Sequence, residues 1–402
     1  MRSTGKAPGR LAGVMAGWQA SRIDDPVSRL RFLRRSVGDR RIWDPRTEPG
    51  RAFLRKARGP LALALGFLIL IPAGTMTSAG RIWRRGPVVT AQASEKGPET
   101  IDQVWQVEQN REFETYSNGL RIERRFETGN EPRRYFVYPR GAEDSGARQE
   151  RGAPAGIVFH TTESQLADFR EDQTGRIRLL GEALLEFVRR ERAYHYLIDR
   201  FGRVWRVVKE SDAANHAGHS VWADARWTYV NLNRSFIGVS VETVTQAGSD
   251  RPEATAAQIH SLRVLTAMLR ARHGIAARNC VTHAQVSVNP ANMRAGYHYD
   301  WAANFPYPAV GLPDNYGLAS PGLWLFGFNY DQALVNVTGQ PFWKGLLLGE
   351  EQLRQDATAQ GMSVTAYRQA LAERYRRILS SLKQEEETSK EKASDQAKEK
   401  QG

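Results

Sequence analysis

His160 closes the short apolar run Gly156 to His160 in IVFHTTES, and His283 follows a second apolar run, Asn279 to Thr282, in CVTHAQ. His298 and Asp300 lie in the glycine-containing loop GYHYDW that comes after it. Two imidazoles at neighbouring strand ends and a third donor from a loop would give zinc three protein ligands at about 2.0 to 2.2 Å, with a fourth position open to water. That is the catalytic form of a zinc site. Spacing alone does not bring these strand ends together, and any one histidine taken singly is more often a core or surface residue. The chain has one cysteine, Cys280, so an intramolecular disulfide and an all-cysteine metal cluster are both excluded. Any metal must be held by histidine and carboxylate. Cys280 itself sits in an apolar strand and reads as a small buried hydrophobe.

The elements that must position these residues alternate between strand and helix patterns. Residues 104 to 126 alternate apolar and polar around Ser117-Asn118-Gly119, a hairpin signature, and residues 141 to 154 read as a loop. Residues 177 to 192 have helical apolar spacing at Leu179, Leu180, Leu184, Leu185 and Val188, and 194 to 208 reads as a hairpin turning at Phe201-Gly202. Phe236 to Glu242 is another strand. Thr255 to Arg272 is an amphipathic helix through Ile259, Leu262, Leu265, Met268 and Leu269, ended by Gly274. This interleaving predicts an α/β domain with a mixed central sheet flanked by helices over residues 151 to 310, preceded by a small β lead-in at 101 to 150.

The ordered blocks IVFHTTES, YHYLIDRFGRVWRVV, NHAGHS, NLNRSFIGVSVE, VTHAQVSVNP and YHYDWAANFPY, with the helix before VTHAQ, span about 150 residues. This stretch resembles the zinc-dependent N-acetylmuramoyl-L-alanine amidases of the type-2 amidase and peptidoglycan-recognition-protein superfamily. The resemblance implies one zinc per chain, with His160 and His283 as the histidine ligands and Asp300 as the third. His298 is the competing third ligand. Many members carry a Lys two residues before the last ligand, where this chain has His298, whose imidazole could stabilise a developing oxyanion. Phage-type members carry a catalytic Tyr directly before a His in the hairpin strand, which matches Tyr194 before His195. Recycling members carry a Glu where this chain has Ser240; Glu242, two residues on and on the same face of the strand, is a weaker candidate base. His216 in NHAG and Asn233 match family segments near the substrate cleft. The general base is left open. The implied reaction is hydrolysis of the amide between the lactyl group of N-acetylmuramic acid and L-alanine of peptidoglycan or muropeptides. A non-catalytic peptidoglycan-binding sensor is the alternative.

The net charge of +13 suggests nucleic acid until its distribution is read: residues 1 to 58 hold 15 Lys/Arg against 5 Asp/Glu, and the remainder is nearly balanced. No nucleic-acid partner is expected. Residues 59 to 80 carry no charge, long enough at ~1.5 Å per residue to cross a hydrocarbon core of about 30 Å. Arg51, Arg55, Lys56 and Arg58 precede this run and Arg81, Arg84 and Arg85 follow it. We expect an uncleaved transmembrane signal anchor, with a cleaved signal peptide as the rival, and the positive-inside bias puts the basic segment 1–58 in the cytoplasm. A linker at 81–100 then leads to an amidase domain outside a bacterial inner membrane, in the periplasm. Residues 311–382 read as an aromatic and helical extension that could bind a regulatory protein, and the Lys/Glu run 383–402 reads as disordered.

Overall fold

The structure is a computed structural model that describes residues 103–399 apart from 144–145, 246–252, 331 and 339–342. The basic segment 1–58, the apolar run 59–80 and the linker 81–100 lie outside the described residues. Among the described residues no helix is long and apolar enough to cross a membrane.

In chain order, β1 (Gln106–Gln109), β2 (Phe113–Tyr116), β3 (Arg121–Glu123), β4 (Tyr135–Pro139), β5 (Gln149–Arg151) and β6 (Gly156–Thr161) precede the helix α1 (Thr174–Glu191). Next come β7 (Tyr196–Ile198), β8 (Val204–Arg206), β9 (Val221–Ala223), β10 (Trp227–Val230), the one-turn helix α2 (Leu232–Ser235) and β11 (Phe236–Val241). The helix α3 (Ala256–His273), β12 (Cys280–Thr282), the one-turn helix α4 (His283–Val286) and the ribbon β13 (Val288–Asn289) and β14 (Arg294–Ala295) follow. The helices α5 (Pro321–Phe326), α6 (Gln332–Thr338), α7 (Lys344–Ala359) and α8 (Val364–Glu399) complete the described chain.

The main sheet has the order β1-β2-β3-β8-β7-β11-β6-β12, and β4, β5, β9 and β10 form a second, antiparallel sheet. In the main sheet β6 and β11 pair in parallel near the β12 edge, with Ser240 opposite His160. Both strands are buried at every position, as parallel strands covered on two faces must be. Side chains alternate between those faces. Ile157, Phe159, Ile237 and Val239 share a cluster with Leu262, Leu265, Met268 and Leu269 of α3, so His160, Gly238 and Ser240 point to the opposite face. α3 begins where Thr255 and Gln258 form a reciprocal capping box and ends at Gly274, whose φ is +63°.

Three expectations change. In α1 the buried stripe is Ile177, Gly181, Leu184, Leu185 and Val188, whereas Leu179 is exposed. At about 100° per residue Leu179 lies on the far side of the helix from Ile177. The β lead-in is not a separate unit. β3 pairs in parallel with β8, and β4 and β5 join β9 and β10, because a hairpin of this size cannot bury Tyr116, Leu120 and Ile122 by itself. Arg206 of β8 reinforces the join by gripping Glu114 at 2.6 and 3.0 Å and Glu127 at 2.6 Å. Finally, the charged tail expected to be disordered continues α8 to Glu399. Lys, Glu, Gln and Ala are strong helix formers, so they prolong a helix that packed turns have already nucleated. Those turns place Tyr375 and Ile378 in a core shared by Leu323, Phe326, Phe328, Leu334, Trp343 and Leu346, together with Val221, Val230 and Ala284 of the strand-bearing half.

Candidate metal centre

His160 is near the C-terminal end of β6, and His283 opens α4 directly after the neighbouring β12. The turn into α4 is fixed by Thr282 and Gln285, which form a second reciprocal capping box. Asp300 reaches the same point from the loop after β14. His160 Nδ1 lies 2.9 Å from Asp300 Oδ2, and His283 Nδ1 lies 3.0 Å from both carboxylate oxygens. All three side chains are fully buried, and their donor atoms fall within 4.8 Å of one another.

The partners behind the imidazoles decide which nitrogens carry protons. His216 Nε2 faces the carbonyl of Phe236 at 3.2 Å, so it donates there, leaving Nδ1 as an acceptor. His160 Nε2 lies 3.1 Å from that Nδ1 and therefore donates to it. His283 Nε2 faces the carbonyl of Ala217 at 3.3 Å and donates in turn. Both ligand histidines thus present an Nδ1 lone pair toward Asp300. Lone pairs at this distance from a carboxylate repel it unless a cation lies between them. Two imidazole nitrogens and a carboxylate oxygen make a donor set suited to zinc, and the residues fit that ion.

One turn of chain supplies both rear partners. Asn233 Oδ1 accepts the N–H groups of His216, Ala217 and Gly218 at 2.9, 2.6 and 3.1 Å, fixing the NHAG segment. His216 and Asn233, expected at the substrate cleft, here act on the ligands. His216 is buried and edge-on to His160, with ring centroids 5.2 Å apart. Burial, and then the neighbouring imidazoles, push its pKa well below the ordinary value, so it stays neutral. Its ring rests on Gly238, where a Cβ would lie 2.5 Å from His216 Cγ. Only glycine leaves room for it.

Tyr194 and His298 flank the ligands. The Tyr194 ring is 5.0 Å from that of His160, its backbone in the left-handed region at φ +60°. His298 stacks on His283 at 4.6 Å with planes 17° apart, and it is not among the three converging donors. Tyr297 stands edge-on to His298 and is half exposed. Sequence reasoning missed it, although an aromatic residue next to a candidate site residue was a usable signal. His195 points away as its alternation with Tyr194 predicts: its Nδ1 accepts Gly238 N–H at 3.0 Å, and burial with Arg133 lowers its pKa to about 3. Ser240 is fully buried beside His160, its Oγ without a hydrogen-bond partner among the described residues. Glu242 is turned toward α1, accepting Arg200 N–H at 3.1 Å and lying against Gly181.

Residues 150–298 match the N-acetylmuramoyl-L-alanine amidase family. The match ends two residues before Asp300. Similar solved structures include the E. coli amidase AmiD in complex with anhydro-N-acetylmuramic acid-L-Ala-D-gamma-Glu-L-Lys, at 23% identity over 42% of this chain and 63% of that one, with a TM-score of 0.30. They also include AmpDh3 of Pseudomonas aeruginosa in complex with anhydromuramic pentapeptide, at 20% identity over 54% and 72%, with a TM-score of 0.29. A third is the amidase LysC of Clostridium intestinale, at 16% identity over 39% and 83%, with a TM-score of 0.24. The chain thus spans just under two thirds of AmiD. No curated protein matches it.

Two predictions follow from these contacts. Replacing His216 with alanine removes the acceptor that keeps the His160 proton on Nε2, so zinc affinity should fall roughly 10- to 100-fold in competition with a chromophoric chelator. Unchanged affinity would mean that His160 needs no such partner. Burial raises the Glu242 pKa from 4.5 to about 7, against the opposing hydrogen bond from Arg200 N–H. A carboxyl raised on folding stabilises the fold fully below its unfolded pKa and loses that contribution as pH rises through about 7. Denaturant titrations should show Glu242→Gln without that part of the decline, on the order of 3 kcal/mol. An identical pH profile in the variant would contradict the assignment.

Proposed function

We propose that this chain is a zinc-dependent N-acetylmuramoyl-L-alanine amidase that cleaves the amide between the N-acetylmuramic acid lactyl group and L-alanine in peptidoglycan or its fragments. The observation that carries this reading is the convergence of His160 Nδ1 and His283 Nδ1, both on the stretch that matches the family, with the Asp300 carboxylate just beyond it, at 2.9 and 3.0 Å. The three would hold one zinc, which when bound supplies Lewis acidity toward the scissile carbonyl and lowers the pKa of water.

The chain's own groups do the rest. His216 and Ala217 keep the ligand nitrogens unprotonated on the metal side. Tyr194, through its phenol O–H, and His298, through an imidazole N–H, are the donors proposed to stabilise the oxyanion that develops on the substrate carbonyl. Their rings lie against those of His160 and His283, respectively. Burial of the whole group lowers the local dielectric and strengthens each of these interactions. The apolar run 59–80 would anchor the enzyme in the inner membrane, with the amidase domain on the periplasmic side where peptidoglycan lies.

The test is mass spectrometry of muropeptides incubated with the full chain, with chelator, with zinc restored, and with Asp300→Ala. We expect free stem peptide from the zinc-loaded chain and at least a 100-fold drop in its release on chelation or in the variant. Muropeptides that bind but stay intact would overturn the hydrolase reading in favour of a binding module.

A further inference from the structure

We propose that the C-terminal extension is part of the metal centre's scaffold, with Trp343 and Tyr316 as positioning residues that hold the Asp300 loop against His160 and His283. The inference rests on the zinc reading above. Asp300 belongs to a strap, residues 293 to 305, that has no regular structure after β14. Its backbone takes left-handed conformations at Met293, Trp301 and Asn304, with φ of +54°, +53° and +61°. Such angles are disfavoured for residues with a Cβ, most of all for a bulky one like Trp301, and persist only where surrounding contacts enforce them.

Several of those contacts come from beyond residue 311. Three successive carbonyls are each held by a donor. The Asp300 carbonyl accepts Ala284 N–H at 3.3 Å, directly after the ligand His283. The Trp301 carbonyl accepts the Tyr316 hydroxyl at 2.6 Å, and the Ala302 carbonyl accepts Trp343 Nε1–H at 2.7 Å. Tyr316 and Trp343 stack on each other at 5.2 Å, and the Tyr316 hydroxyl also receives Phe305 N–H at 3.3 Å. Helix α7 is seated tightly on the segment that carries Tyr316: a Cβ on Gly345 would lie 2.0 Å from the Leu318 carbonyl oxygen.

The near end of the strap is held from the same region. Ala295 N–H donates to the Asn329 carbonyl at 2.6 Å, and Asn329 N–H donates to the Met293 carbonyl at 2.9 Å. Arg294 reaches the Tyr330 carbonyl at 3.1 Å. Leu334 of α6 closes over Gly296, where a Cβ would lie 2.6 Å from the leucine methyls. Asp300 is therefore held from both sides, by Ala284 and by Thr245, whose Oγ1 accepts Trp301 N–H at 3.1 Å, within the region that matches the family, and by Tyr316 and Trp343 beyond it, while the two histidines are placed from within it.

Tyr316→Phe keeps the ring and removes the hydroxyl, both the donor to Trp301 and the acceptor from Phe305, so it tests those hydrogen bonds apart from the stack, while Trp343→Phe removes the Nε1–H donor and trims the indole to a phenyl ring. In the full chain, zinc affinity by chelator competition should fall about tenfold or more in each variant and further in the double variant, while the thermal midpoint of the metal-free protein changes little. Zinc affinity equal to wild type, with or without a lowered midpoint, would overturn the positioning role and leave the zinc reading intact. A wild-type chain that takes up no zinc would overturn both.

Discussion

The site depends on one carboxylate facing two imidazole lone pairs. Asp300 meets Nδ1 of His160 and of His283 at 3.0 Å or less in a fully buried space. That arrangement is stable only with positive charge among the three groups. What keeps it from collapsing into ordinary histidine–aspartate hydrogen bonds is the placement of the imidazole protons on the opposite nitrogens. Those protons are committed to His216 Nδ1 and the Ala217 carbonyl. The selection passes outward to the Phe236 carbonyl behind His216 and to Asn233, which fixes both partners by accepting three consecutive N–H groups.

The fold can be read as the means of holding this geometry away from bulk solvent. Parallel pairing of β6 with β11 and β12 brings two ligand-bearing strand ends side by side. The face opposite α3 carries His160 and Ser240 beside the apolar Val158 and Phe236, and Gly238 opens the space that the His216 ring fills. The third ligand arrives on an irregular strap whose angles need enforcement, and the C-terminal helices provide it while burying their own apolar faces in a shared core. The extension and the strand-bearing half are in this sense one structure.

Much of this was legible in the residues. β6, β11 and β12 announce themselves as apolar runs, α3 by its period and its Gly274 stop, and His160, His283 and Asp300 by their chemistry at strand ends and in a glycine loop. What was hidden depends on contacts between distant segments. The NHAG turn reads as a cleft loop because nothing in a linear pattern shows that Gly238, more than twenty residues away, makes room for His216 against His160. The Leu179 assignment failed because an apolar residue can fit a loose helical spacing and still lie off the buried stripe. How the lead-in joins the sheet was hidden because its ties, the β3–β8 pairing and an ion cluster centred on Arg206, link segments some 80 to 90 positions apart. The tail looked disordered because composition reports the absence of a core and not the reach of a helix begun upstream. Trp343 and Tyr316 carried no signal, since a donor to a backbone carbonyl leaves no mark in sequence.

The most direct measurement is X-ray absorption spectroscopy at the zinc edge on the full chain loaded with one equivalent of the metal. The account predicts a first shell of nitrogen and oxygen at about 2.0 to 2.1 Å, with outer-shell scattering from two imidazoles and no sulfur. A shell with fewer than two imidazoles, a sulfur ligand from Cys280, or no retained zinc would contradict it.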